Sequence, residues 1–133
     1  MVKSKADKNV TLIAVNTSVE GNIQFSGELY VNGAVVGDIE GRKESRGALV
    51  VSEEGSVQGE IRVPDIVIEG KVEGDIHAES RLELGRNARV RGDVHYKLVE
   101  IHTGAIVDGR MVPEEQAAEN VLALPVGGRG DDG

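Results

Sequence analysis

Cysteine and tryptophan are absent from these 133 residues, and aromatic residues make up 2% of them. Without thiols the chain can form no disulfide and offers no thiolate nucleophile, which suits a reducing compartment such as the cytosol. With so few rings, a core must be built from aliphatic side chains. Long apolar runs are missing too, Leu12–Val15 being among the longest. That is far short of the ~20 residues of a membrane span, and no stretch reads as the apolar core of a signal peptide. A net charge of −8 argues against nucleic-acid binding by the body of the chain. Glycine, in contrast, is plentiful at 18, as frequent tight turns require. The length allows one domain with tails.

The glycines carry a repeated phrase. "VNTSVEGNI" (15–23) returns as "VNGAVVGDI" (31–39) and again as "IEGKVEGDI" (68–76). Aligning it downstream gives six copies. The inward columns read Ile13, Leu29, Leu49, Ile66, Leu82, Val99, and two residues on Val15, Val31, Val51, Ile68, Leu84, Ile101. Then come Val19, Val35, Val57, Val72, Val90, Val107, each two residues before a glycine, and Ile23, Ile39, Ile61, Ile76, Val94, Met111, each two after it. A looser last column runs Phe25, Gly41, Val63, Ala78, Tyr96, Pro113. The glycine steps are 16, 22, 15, 18 and 17 residues. So short a period means a solenoid, in which a repeat buries its face only against its neighbours. Apolar residues two apart mean strands rather than helices. The expected fold is all-β: a single-stranded parallel β-helix of about six short windings with flexible termini. The long step comes mainly from "GRKESRG" (41–47), a charged surface excursion.

Windings of this length, built on aliphatic-x-Gly-x-aliphatic over residues 10–112, resemble the bactofilins, the bacterial cytoskeletal filament proteins. The resemblance implies a right-handed triangular β-helix that polymerises end to end, without nucleotide, into non-polar filaments. It also implies disordered tails, a cytoplasmic, cytoskeletal location with membrane-associated or polar placement in reach, and scaffolding of other polarity or shape proteins. Domain boundaries follow: a basic arm over 1–12, the β-helix over 13–112, and a tail over 113–133.

Catalytic chemistry finds little footing. Left-handed hexapeptide-repeat acyltransferases space their aliphatics six apart, and the offsets here fit that template poorly. No Ser-His-Asp spacing or phosphate-binding glycine loop occurs, and "RGD" at 129–131 reads as chance. No enzyme activity, cofactor or small-molecule substrate is expected. His77 and His95 share one outward slot of adjacent windings, about 4.8 Å apart, and read as a surface ladder rather than a metal site. The slot after each glycine reads Asn22, Asp38, Glu60, Asp75, Asp93, Arg110, outward turn residues that keep a rod soluble.

The ends and one side are the candidate contact surfaces. A solenoid without caps exposes apolar side chains and free backbone groups at both ends. The expected polymer interface is Ile13, Val15, Val19, Ile23 and Phe25 at the first end, with Val99, Ile101, Val107 and Met111 at the other. The outward column Ala14, Tyr30, Val50, Val67, Glu83, Glu100 is apolar in its upper part, so Tyr30, Val50 and Val67 form a candidate lateral contact. Val2, Lys3, Lys5 and Lys8 make the arm a weak candidate for a membrane surface, DNA or an acidic partner. "PEEQAAENVLAL" (113–124) has the makings of a short helix over 114–124, and the remainder reads as disordered. The alternatives to a self-assembling scaffold are a monomeric β-helical binding module and, more remotely, an acyltransferase.

Overall fold

The computed structural model describes residues 9–42 and 46–114, which form six stacked windings of three strands each. The first holds β1 (Val10–Ile13), β2 (Ser18–Glu20) and β3 (Ile23–Phe25). The second holds β4 (Glu28–Val31), β5 (Ala34–Val36) and β6 (Ile39–Gly41). β7 (Ala48–Val51) and β8 (Ser56–Gln58) follow. From there the chain runs without interruption from the third side of one winding into the first side of the next, through β9 (Ile61–Ile68), β11 (Ile76–Leu84) and β13 (Val94–Ile101). The second side is completed by β10 (Lys71–Glu73), β12 (Arg89–Arg91) and β14 (Ile106–Asp108), and β15 (Met111–Pro113) closes the sixth winding. All pairings are parallel; a nine-stranded sheet covers the first and third sides and a six-stranded sheet the second. The protein is an all-β parallel solenoid, with no helix among the described residues. At the ~4.8 Å strand spacing, six windings make a rod about 30 Å long.

Stacked aliphatic columns fill the interior. Val35, Val57, Val72 and Val90 lie one above another, paired in register and almost wholly buried. β-branched side chains suit such columns because their stiff rotamers interlock on a pleated surface. No polar residue is buried among those described. The glycine column has a different cause. Gly74 has φ +145°, and a Cβ there would strike the carbonyl oxygen of Gly59 one winding earlier. Gly37, Gly59, Gly92 and Gly109 repeat this approach, whereas Gly21, in the first winding, faces open space.

One register differs from the sequence reading. β1 pairs with β4 through Ile13↔Val31 and Thr11↔Leu29, so Ile13 belongs to the second inward column and Thr11 to the first. Val15 is in no column. It lies in a corner closed by Thr17 N–H donating to the Ala14 carbonyl at 2.9 Å, and is 52% exposed. The corners closed by Gly55–Ser52, Ala88–Gly85 and Ala105–His102 bonds are its counterparts. Val15 to Val19 mimics the short corner of Val31 to Val35, but the first winding has the longer one. The strand begins at Val10, so residues 10–12, read as the end of the arm, are part of the solenoid. Residues 1–8 of the arm and the 115–124 part of the expected helix lie outside the described residues. So do Lys43–Ser45 of the charged excursion, whose neck is held by Gly47 N–H donating to the Arg42 carbonyl at 3.3 Å.

Candidate assembly surfaces

The two ends differ from the middle in what they leave uncovered. Among the described residues, the exposed large hydrophobics are Val10, Leu12, Val15, Val36, Leu98, Ile101 and Ile106. All but Val36 lie in the first or sixth winding. Val10, Leu12, Leu98 and Ile106 point outward, like their register partners Glu28, Tyr30, Arg81 and Arg89, whereas Ile101 is inward and, like the partly exposed Val19 and Val107, is paired with a described winding on one side only. At the first end Ile23 is likewise half-covered, while Ile13 and Phe25 are 6% and 9% exposed. Phe25 is covered because it leans over Gly41 of the next winding, where an added Cβ would come within 3.1 Å of Cζ. At the far end Val99 and Met111 are half-covered and Ile101 is 52% exposed. The strands of these two windings are hydrogen-bonded along one edge only.

On the first side, the outward ladder runs Leu12↔Tyr30↔Val50↔Val67. Leu12 takes the rung that the sequence reading gave to Ala14, a consequence of the same register change. Leu12 is 59% exposed, so the ladder is apolar over four consecutive windings. Beside it, the Glu28 carboxylate pushes the Tyr30 phenol above its ordinary range, first by charge and then by accepting its hydrogen bond at 3.2 Å. At the next two rungs after Val67 the column is charged, with Glu83 and then Glu100.

The slot after the glycines does more than keep the rod soluble. Oδ1 of Asn22 accepts from the backbone N–H of Asp38, and Oδ1 of Asp38 from that of Glu60, at 3.0 and 2.9 Å. Oδ1 of Asp75 accepts from Asp93, and that of Asp93 from Arg110, at 3.0 and 3.1 Å. Each short side chain thus satisfies a backbone donor of the following winding, which offsets the repulsion of stacked carboxylates. Glu60, one methylene longer, turns instead to Nε2 of His77 at 2.8 Å. The residues His77 and His95 stack with ring centroids 4.4 Å apart and planes 8° from parallel. Parallel rings do not aim two nitrogens at one ion, so the pair is a ladder.

The last rung of this slot ends in a cation. The Arg110 guanidinium donates to Oδ2 of Asp93 at 3.0 Å. Its side-chain and backbone hydrogen bonds hold the Asp93 carboxyl below the usual carboxylate range. A lowered folded value means that the contribution is complete above the ordinary carboxylate range and is lost as pH falls through the lowered one. Arg110→Ala should raise the Asp93 titration toward its ordinary value, followed by carboxyl-carbon NMR in a chain kept monomeric. An unchanged titration would mean that the pair does not form in solution.

Together these features define a class: a parallel β-solenoid rod whose aliphatic columns run through all six described windings. A family model described as bactofilin, polymer-forming cytoskeletal, matches residues 11–112. The chain is also similar to bactofilin BacO of Myxococcus xanthus (strain DK1622), 33% identical over 101 residues, covering 76% of this chain and 77% of that protein. Bactofilin BacP of the same organism is 34% identical over 108 residues, covering 80% of this chain and 43% of the relative. No solved structure gives a significant match. The chain belongs to the bactofilin family of polymer-forming cytoskeletal proteins. No helix among the described residues is long and apolar enough to cross a membrane.

Proposed function

We propose that this protein is a cytoskeletal scaffold whose six-winding rods stack end to end, without nucleotide, into filaments that position partner proteins inside a bacterial cell. The observation that carries the reading is that, among the described residues, the inward side chains Val19, Ile23, Val99, Ile101, Val107 and Met111 of the terminal windings stay partly or largely exposed while their column partners inside the rod are buried. A winding from a second copy buries those side chains and pairs the free strand edges at once, so association needs no chemical energy source. The filament is non-polar, first end against first end and last against last. Supporting this, a head-to-tail joint would set the Asn22 backbone N–H over Arg110, whose side chain has donors and no acceptor. Like-to-like joints do not demand that contact.

The ladder of Leu12, Tyr30, Val50 and Val67 is the second contact surface, and its occupant is another copy of the chain. At a joint between two first ends the two ladders become continuous, doubling the apolar strip available for side-by-side pairing. The arm with Val2, Lys3, Lys5 and Lys8 adds weak attraction to an anionic membrane surface, DNA or an acidic partner, multiplied along a polymer. The location is cytoplasmic, and the part played is structural rather than catalytic. Negative-stain microscopy of the purified chain in nucleotide-free buffer should show long filaments. A stable monomer by sedimentation at high concentration would replace this reading with a monomeric binding module.

A further inference from the structure

We propose that Glu83, Glu100 and His102 form a binding site for a divalent transition-metal cation of the zinc type, tying the last two windings together. Glu83 and Glu100 are register partners on β11 and β13, so their carboxylates project one above the other from the same outward slot. His102 follows Ile101 and is outward again, its backbone N–H donating to the Leu84 carbonyl at 2.9 Å. Nε2 of His102 lies 3.0 Å from Oε2 of Glu83 and 3.4 Å from Oε2 of Glu100. One donor atom from each residue lies within 4.8 Å of the other two. Zinc binds nitrogen and oxygen at about 2.0–2.2 Å, so neighbouring ligands of a tetrahedral ion stand about 3.4 Å apart. The His102–carboxylate spacings are already close to that value, and the cluster mixes imidazole with carboxylate as such ions prefer.

Arg81 distinguishes this cluster from an ordinary acidic ladder. Its Nη2 lies 2.8 Å from Oε1 of Glu100 and 3.7 Å from Oε1 of Glu83. The guanidinium therefore takes one oxygen of each carboxylate and leaves the Oε2 atoms turned toward His102. Outer hydrogen bonds of this kind orient metal-binding carboxylates. The Glu69 carboxylate takes the space that a side chain at Gly85 would fill. Gly85 occupies the slot of His102 one winding earlier, and an open groove there is lined by Glu69, Glu83, Gly85, Arg86, His102 and Thr103. Water can enter it to complete the shell of an ion. The stacked His77 and His95, with their parallel rings, are not arranged for this, although they are two of the three histidines.

The test is calorimetric titration of the full chain with zinc ion alone. Saturable uptake of one ion per chain is expected. Glu83→Gln and Glu100→Gln should each weaken it by about 10–100-fold, and His102→Ala should remove it. Replacing His77 and His95 together by alanine should leave it unchanged. Arg81→Gln should weaken it less than loss of a ligand does. All the altered side chains point outward, and circular dichroism with thermal melting establishes that each variant is folded. Absence of saturable uptake by the natural chain would overturn the proposal. So would uptake that survives His102→Ala or is lost with His77 and His95. The site lies within one chain, so the result is independent of how the chain assembles.

Discussion

A chain carrying Ile23→Arg and Ile101→Arg together is expected to sediment as a folded monomer at concentrations where the natural chain forms filaments. Ile23 belongs to the inward column of the third side and Ile101 to that of the first, but each is in a terminal winding and only partly covered. An arginine there can snorkel its charge to solvent in the single rod, so the fold survives. In a joint the same charge is buried with no partner, a penalty of several kcal/mol. Phe25 is a poorer position for the test, because its ring fills the space over Gly41 and Gly47 and its loss would open the core. The single variants report polarity. If like ends meet, Ile23→Arg should stop at pairs joined through the sixth winding and Ile101→Arg at pairs joined through the first. Head-to-tail stacking would leave either single variant monomeric. Long filaments from the double variant would sink the end-stacking model and move attention to the Leu12–Tyr30–Val50–Val67 ladder.

Val72→Asp is expected to abolish folding altogether. Val72 is fully buried, with Val57 above and Val90 below in strict register, so the new carboxylate has neither water nor a partner. An unpaired buried charge belongs to the small class of substitutions costing about 4 kcal/mol or more, against a total stability of about 5–15 kcal/mol. Three residues along, Asp75→Asn should melt within a degree or two of the natural chain. The amide keeps an Oδ1 to accept the Asp93 N–H, as Asn22 does for Asp38. Melting curves followed by far-UV circular dichroism compare the two. A soluble, cooperatively melting Val72→Asp chain would mean that the column register is wrong.

Most of the architecture was legible in the residues because the fold is made of nearest-neighbour stacking. Where each winding must bury its face against a copy of itself, the sequence has to repeat, and the repeat is what can be read. Glycine before every third strand was legible for the same reason: a Cβ at Gly74 has nowhere to go but into the Gly59 carbonyl. The expectation that the terminal windings leave inward residues uncovered came from the same repeat; among the described residues, inward Ile101 is 52% exposed.

The errors and omissions lie where local spacing leaves two answers. Val15 stands four residues before Val19, just as Val31 stands before Val35, so pattern alone favoured it for the column. The pairing of Ile13 with Val31 chose the longer corner; the shift is of two residues, so Ile13 faces the core and Leu12 faces out in either register, and only their rungs change. The aspartates after the glycines were visible as a column, but not that their Oδ1 atoms accept backbone N–H groups of the next winding. That depends on side-chain length and corner geometry, which separate Asp75 from Glu60. Glu83 and Glu100 were visible as neighbours in one outward column, but His102 was not read with them. Their meeting required the register across the 85–88 and 102–105 corners. The sequence by itself determined the class of fold and the aliphatic columns, since both are consequences of one short repeat. The tertiary structure decided the register of the first winding, the hydrogen-bonded ladder and the Glu-Glu-His cluster. These hang on which rung faces which, a choice fixed by packing between windings that lie 15 or more residues apart in the chain.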